Sequence, residues 1–182
     1  MGDNPSHFSG NDHPVENVSW EDAMSFCQKL NQMDPKKPQG YVYSLPTEAQ
    51  WEYACRAGTS SATAFGDSLS SRDANFDGNF PYGGAAKGPY LKRTTKVGSY
   101  RPNAWGFYDM YGNVWEWCHD RYGDYPGGSV TDPLGPSSGS FRVMRGGGWF
   151  TNGKSCRSAN RYRNGPGGRG TFLGFRLSLR SE

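Results

Sequence analysis

Gly106-Phe107-Tyr108-Asp109-Met110-Tyr111-Gly112-Asn113-Val114-Trp115-Glu116-Trp117 is the stretch on which the reading of this chain turns. Each of its large rings can remove about 150–250 Å² from water, so the segment supplies core rather than linker. Two carboxylates, Asp109 and Glu116, flank a turn at Gly112 whose carbonyls can point inward. That arrangement suits the all-oxygen shell preferred by calcium. The competing arrangement pairs Glu116 with a buried arginine, such as Arg145 or Arg176, while Asp109 caps a turn.

Outward from this segment the composition keeps the same character. Phe, Trp and Tyr make 15% of 182 residues, which predicts an aromatic core in one domain. The chain carries 26 Gly and 12 Pro, so much of its backbone follows turns and loops. A formal charge of +3 from 20 basic and 17 acidic residues demands neither nucleic acid nor a membrane surface as partner. The Lys92, Arg93 and Lys96 cluster reads as a solvated face. No apolar stretch reaches membrane-span length, and Met1-Gly2-Asp3-Asn4-Pro5-Ser6 resembles no signal peptide, so a cytoplasmic location is expected. Cys27, Cys55, Cys118 and Cys156 have neither metal-site spacing nor the density of a disulfide framework, which points to buried thiols in a reducing compartment.

Local signals place two short helices. Ser19 and Asp22 open the first, over 19–32, with Trp20, Ala23, Met24, Cys27 and Leu30 on one face. Thr47 and Gln50 open the second after Pro46, and Gly58 stops it; Trp51 and Tyr53 are expected to pack inward. Tyr41, Tyr43 and Leu45 alternate as a half-buried strand does. Residues 58–102 show no sustained period and predict a long ordered loop. Arg142-Val143-Met144-Arg145 reads as a short strand. Leu173, Phe175, Leu177 and Leu179 alternate with polar or small residues, predicting a terminal strand with one buried face.

Five segments together resemble the formylglycine-generating-enzyme (sulfatase-modifying factor) family. They are Pro14-Val15-Glu16-Asn17-Val18-Ser19-Trp20, Leu45-Pro46-Thr47-Glu48-Ala49-Gln50-Trp51-Glu52-Tyr53, the 106–117 stretch, Arg145-Gly146-Gly147-Gly148-Trp149, and Gly174-Phe175-Arg176. The resemblance implies an irregular, loop-rich α+β domain of the C-type lectin fold with small antiparallel sheets. Residues 1–182 would form that single domain, N-terminally short relative to the family.

The family's chemistry is the copper-dependent oxidation of cysteine to formylglycine, which uses two cysteines after the tryptophan of the Gly-Gly-Ser-Trp turn. Their positions here hold Thr151 and Cys156, and Gly148 stands where the family has serine. Trp115 matches the family's active-site tryptophan. Soft Cu(I) favours thiolates, and one cysteine cannot build a two-thiolate site. Copper is therefore not expected, and Cys156 and Trp115 are catalytic candidates only on the oxidase alternative; otherwise Cys156 is expected to be a buried thiol beside Cys118. The resemblance also implies a structural calcium held by the side chains of Asp109 and Glu116 and the carbonyls of Gly112 and Val114. A second family calcium site would begin at Asn75 and Phe76 but finds Pro89 where it needs an acid, with Asp73 and Asp77 as possible substitutes.

Residues 150–172 resemble the variable region of diversity-generating retroelement variable proteins, which display ligand-binding residues on this fold. The resemblance implies a non-catalytic domain that binds a protein or small-molecule ligand through Phe150, Asn152, Tyr162, Asn164 and Phe172. Tyr122 and Tyr125 are expected to extend that surface.

Overall fold

The computed structural model describes residues 4–181. The opening Met1-Gly2-Asp3 of the N-terminal reading lies outside the described residues.

Helix α1 (Trp20–Met33) starts at a reciprocal capping box. Ser19 N donates to Asp22 Oδ2 at 2.8 Å, and Asp22 N donates to Ser19 Oγ at 3.1 Å. The same device opens α2 (Glu48–Arg56), where Thr47 N donates to Gln50 Oε1 at 3.0 Å and Gln50 N to Thr47 Oγ1 at 3.2 Å. Each box satisfies backbone N–H groups that a helix start leaves unpaired. Between the helices lies β1 (Tyr41–Ser44).

A mixed four-stranded sheet runs in the order β4-β3-β2-β5, built from β2 (Trp115–Arg121), β3 (Arg142–Arg145), β4 (Arg161–Asn164) and β5 (Leu173–Phe175). The β2–β5 pair is parallel, so the expectation of antiparallel sheets fails at this one edge. β1 pairs separately with β6 (Ser178–Ser181), antiparallel.

The four-stranded sheet divides two apolar clusters, because successive side chains leave a strand on opposite faces. Trp115 and Trp117 of β2, Met144 of β3 and Leu173 of β5 pack with Ala23 and Cys27 of α1. Cys118 of β2 and Val143 of β3 pack with Trp51 and Cys55 of α2 and with Phe76. The indole N–H groups are bonded as well: Trp117 Nε1 donates to Val18 O at 3.0 Å and Trp20 Nε1 to Cys118 O at 2.9 Å. Trp117, fully buried, and Trp20, partly so, thus lock the sheet to neighbouring segments with their polar edges satisfied.

Two expectations need correction. Tyr53 does not pack inward; it is 70% exposed and meets Trp105 edge-on at 4.8 Å. Two helical positions turn the chain by about 200°, so the face that buries Trp51 and Cys55 must expose Tyr53. The terminal alternation is likewise not one strand. After Phe175 the chain leaves the four-stranded sheet and begins the β1–β6 pair, leaving Leu177 and Leu179 exposed.

The 58–102 region is the ordered loop that its composition predicts, held by isolated bridges such as Leu69↔Tyr82 and by burial of Leu69, Ala74 and Phe76. Among the described residues no helix is long and apolar enough to cross a membrane.

Candidate functional site

Three neighbouring regions carry the residues singled out by the sequence. The first is the turn Gly146-Gly147-Gly148 and the segment after it. Gly147 has φ of 79°, and a Cβ there would stand 2.6 Å from Cys156 Sγ, so only glycine lets the chain pass this close. Thr151 Oγ1 accepts from Gly148 N at 3.1 Å and lies 3.7 Å from Cys156 Sγ. A hydroxyl thus occupies the place of a first thiol, facing the thiol that remains.

Cys156 is fully buried, and burial pushes its thiol up to about 12. It shares one apolar cluster with Cys118 and Cys55. One buried, protonated thiol beside a hydroxyl does not fit a two-thiolate copper site. Trp115 is buried on the other face of the sheet, with Tyr162 against it at 5.6 Å between centroids.

The second region is the aromatic surface. Phe150 meets Phe172 at 4.9 Å and Trp149 at 5.5 Å, and Trp149 meets Phe8 at 5.7 Å. Phe150 and Tyr162 are 41% and 59% exposed; Phe172 is half-buried. Phe8, which no motif marked, is thus part of the ring cluster. The two asparagines also serve the backbone. Asn152 caps the 3-10 turn Gly153–Cys156 by accepting from Ser155 N at 3.0 Å, and Asn164 Oδ1 accepts from Gly165 N at 2.9 Å. Each amide oxygen is thereby committed to the backbone.

Tyr122 and Tyr125 do not extend this surface. Tyr162 leaves β4 toward Trp115, whereas Arg161 stacks on Tyr122 and Tyr125, at 4.5 and 4.1 Å from their centroids. Side-chain alternation along β4 puts the two sets on opposite faces.

The third region is a cavity of about 490 Å³ whose lining includes Asp109, Gly112, Val114 and Glu116. The four positions of the predicted calcium site therefore converge. Asp109 sits at φ of 55°, and its Oδ2 accepts from Gly98 N at 2.7 Å. Burial first, and then the charge of Glu116, raise its carboxyl above the usual range despite that bond. A cation beside Asp109 would favour its charged form.

Glu116 also has the arginine partner of the competing arrangement, namely Arg176. It accepts from Arg176 Nη2 and Nε at 2.6 and 2.5 Å and from Trp51 Nε1 at 2.6 Å. A carboxylate offers about four lone-pair directions, so a position remains on Oε1. Asp109 and Glu116 offer hard oxygen donors of the kind calcium prefers, with Arg176 already supplying a counter-charge to Glu116.

At the second predicted site, Asn75 Oδ1 is buried without a hydrogen-bond partner. The suggested substitutes are engaged elsewhere: Asp73 with Arg101 at 3.0 Å, and Asp77 with Asn79 N at 3.0 Å. Among the described residues no group of three or more His, Cys, Asp or Glu side chains could hold a metal, so a cation in either place would depend on backbone or amide oxygens.

The loop-rich α+β domain, with two capped helices and a mixed sheet, is of the C-type-lectin-like class. More narrowly, the chain belongs to the family of the sulfatase-modifying factor enzyme 1-like domain, whose profile matches residues 1–180. It is 38% identical over 176 residues to the formylglycine-generating enzyme of Streptomyces coelicolor, covering 91% of this chain and 52% of that protein. The chain thus spans about half the length of that relative. Among solved structures it is similar to Treponema denticola variable protein 1, with TM-score 0.79 and 30% identity over 100% of this chain and 79% of that one. It is also similar to PvdO from Pseudomonas aeruginosa, with TM-score 0.78 and 29% identity over 97% of this chain and 65% of that one.

Proposed function

We propose that this chain is a non-catalytic binding domain that presents the rings of Phe150, Phe172 and Tyr162, with the amides of Asn152 and Asn164, to a protein or small-molecule ligand. The observation that carries this reading is the exposed ring cluster on the segment following the glycine turn. Clustered apolar rings in water mark a binding surface. The likeness to a variable protein supports the reading. Thr151 argues against the oxidase alternative, since its hydroxyl cannot supply the second thiolate that copper would need.

The same reading includes a structural calcium at Asp109, Gly112, Val114 and Glu116, supported by their shared cavity. The ion would brace the 106–117 segment beneath Trp115.

The test is retention of a partner from extracts of the source cells. Immobilised parent is compared with a Phe150→Ala, Tyr162→Ala, Phe172→Ala variant that melts as a folded protein. A partner held by the parent and lost by the variant supports the reading. Equal retention by both overturns it, and aldehyde formation on a sulfatase-type cysteine peptide would favour the oxidase.

A further inference from the structure

We propose that the cavity between α2 and the 123–136 segment is a separate binding site for a small organic cation, an ammonium carried on an apolar body. The cavity measures about 880 Å³, within the roughly 300–1,000 Å³ typical of ligand sites. Its base is polar, with Glu48 and Glu52 of α2 and Asp120 near the end of β2. Its walls are apolar, from Val130, Leu134 and the neighbouring prolines.

Charge decides what fits this space. Arg161 holds Glu48 at 2.8 and 2.6 Å, and Arg56 holds Glu52 at 2.7 Å, while buried Arg145 reaches both carboxylates from behind. Each of these acids therefore has its counter-charge. Asp120 has none. It is 3% exposed, its Oδ2 accepts from Glu48 N at 2.8 Å, and among the described residues no cation forms an ion pair with it.

The groups around Asp120 are Glu48 and Glu52 from α2, Arg161 from β4, Arg142 from β3, Cys118 from its own strand, and Asp124 and Tyr125 from the loop. Burial and then the charge of Glu48 outweigh the more distant Arg161, pushing the Asp120 carboxyl up to about 6. A buried carboxylate without a counter-ion is costly, and a ligand that delivers a positive charge removes the cost. Asp124 on the same lining adds to the preference for a cation.

The rings agree with the charge. Tyr125 already takes the Arg161 guanidinium 4.1 Å from its centroid. Tyr53 lines the same cavity, is 70% exposed and has no cation over its face among the described residues. An ammonium seated between Asp120 and Tyr53 would gain both ion pairing and cation–π attraction. Because the cavity lies across β4 from Tyr162, this site is independent of the aromatic surface, and the failure of either reading leaves the other standing.

The experiment titrates isotopically labelled protein with phenethylammonium, its neutral analogue 2-phenylethanol and its anionic analogue 3-phenylpropanoate, following the amides of Glu48, Tyr53 and Tyr125. The cation should shift these amides at pH 7 and bind about tenfold more tightly than the alcohol. Its affinity should fall about tenfold between pH 7 and pH 5 as Asp120 takes up a proton. Asp120→Asn should abolish both the preference and the pH dependence. Leu134→Trp, at an exposed wall position, should block binding and keeps the test available if the Asn variant does not fold. Equal binding of the alcohol, tighter binding of the carboxylate, or no shift at these amides with millimolar amine overturns the proposal.

Discussion

Arg176 holds Glu116 by both carboxylate oxygens, Nη2 to Oε1 at 2.6 Å and Nε to Oε2 at 2.5 Å. The pair ties β2 to the chain just beyond β5, and Trp51 brings α2 to the same carboxylate. Removing one member of a buried pair costs roughly 3–5 kcal/mol, because the other charge stays uncompensated. The Arg176 side chain is 24% exposed, which places Arg176→Ala toward the lower end. Arg176→Lys should recover part of the loss, since an ammonium lacks the planar fork that engages both oxygens. Urea denaturation of the two variants measures this; an Arg176→Ala protein as stable as the parent would show that the pair contributes nothing.

Calcium at the same cavity has a separate signature. An ion bound only to the folded chain stabilises it by mass action, so chelator should lower the melting temperature of the parent. Asp109→Asn removes one of the two carboxylate ligands and should melt lower than the parent in calcium, with little further response to chelator. If the parent melts identically with excess calcium and with chelator, the donor set does not hold the ion.

The thiols give a prediction of reactivity. All four cysteines are buried, and burial is the leading cause holding Cys55 at about 11 and Cys156 at about 12. A protonated, inaccessible thiol is a poor nucleophile. Native protein at pH 8 should therefore resist iodoacetamide, while unfolded protein should take four labels by mass spectrometry. Rapid native labelling of Cys156 would contradict its burial beside Thr151.

Much of this fold was legible because local chemistry and tertiary packing agree. Ser19 with Asp22, and Thr47 with Gln50, signal helix starts that need no distant partner, and both form as read. Alternation did less well at the C-terminus. Leu173 to Leu179 carries a period of two, but the pattern says nothing about a change of neighbouring strand after Phe175. Convergence of Asp109, Gly112, Val114 and Glu116 was legible from a short contiguous motif. The cavity beneath the 123–136 loop was not, because Glu48, Asp120 and Leu134 are far apart in sequence and meet only through folding. Phe8 was missed for the same reason, since nothing near it in sequence points to Trp149.

The aromatic surface predicts a graded response to truncation. Tyr162 is 59% exposed, so Tyr162→Ala should change stability by no more than about 0.5 kcal/mol. Phe172 packs against the cluster containing Trp115 and Leu173, and Phe172→Ala should cost more, roughly 1–3 kcal/mol. Thermal melts of the two single variants check the order. Reversal of that order would mean that Tyr162 serves the fold and Phe172 faces the ligand without supporting structure.

Asp120 gives the most direct dependence of stability on pH. Its carboxyl titrates at about 6 in the folded chain against an ordinary 3.8, so the native state binds this proton more tightly than the unfolded state does. The stability conferred by the proton is fully present below about pH 3.8 and is lost as pH rises through about 6. Each pKa unit corresponds to about 1.4 kcal/mol, so ionised Asp120 costs the fold on the order of 2–3 kcal/mol at pH 7. Asp120→Asn keeps a side-chain oxygen to accept from Glu48 N while removing the charge. It should therefore be more stable than the parent at pH 7.5, by about 1–3 kcal/mol, with the advantage shrinking as pH falls toward 4. Urea denaturation of both proteins across that range isolates Asp120, since the other titrating groups are shared. A variant less stable than the parent by the same amount at every pH would show that Asp120 is not under strain in its ionised form.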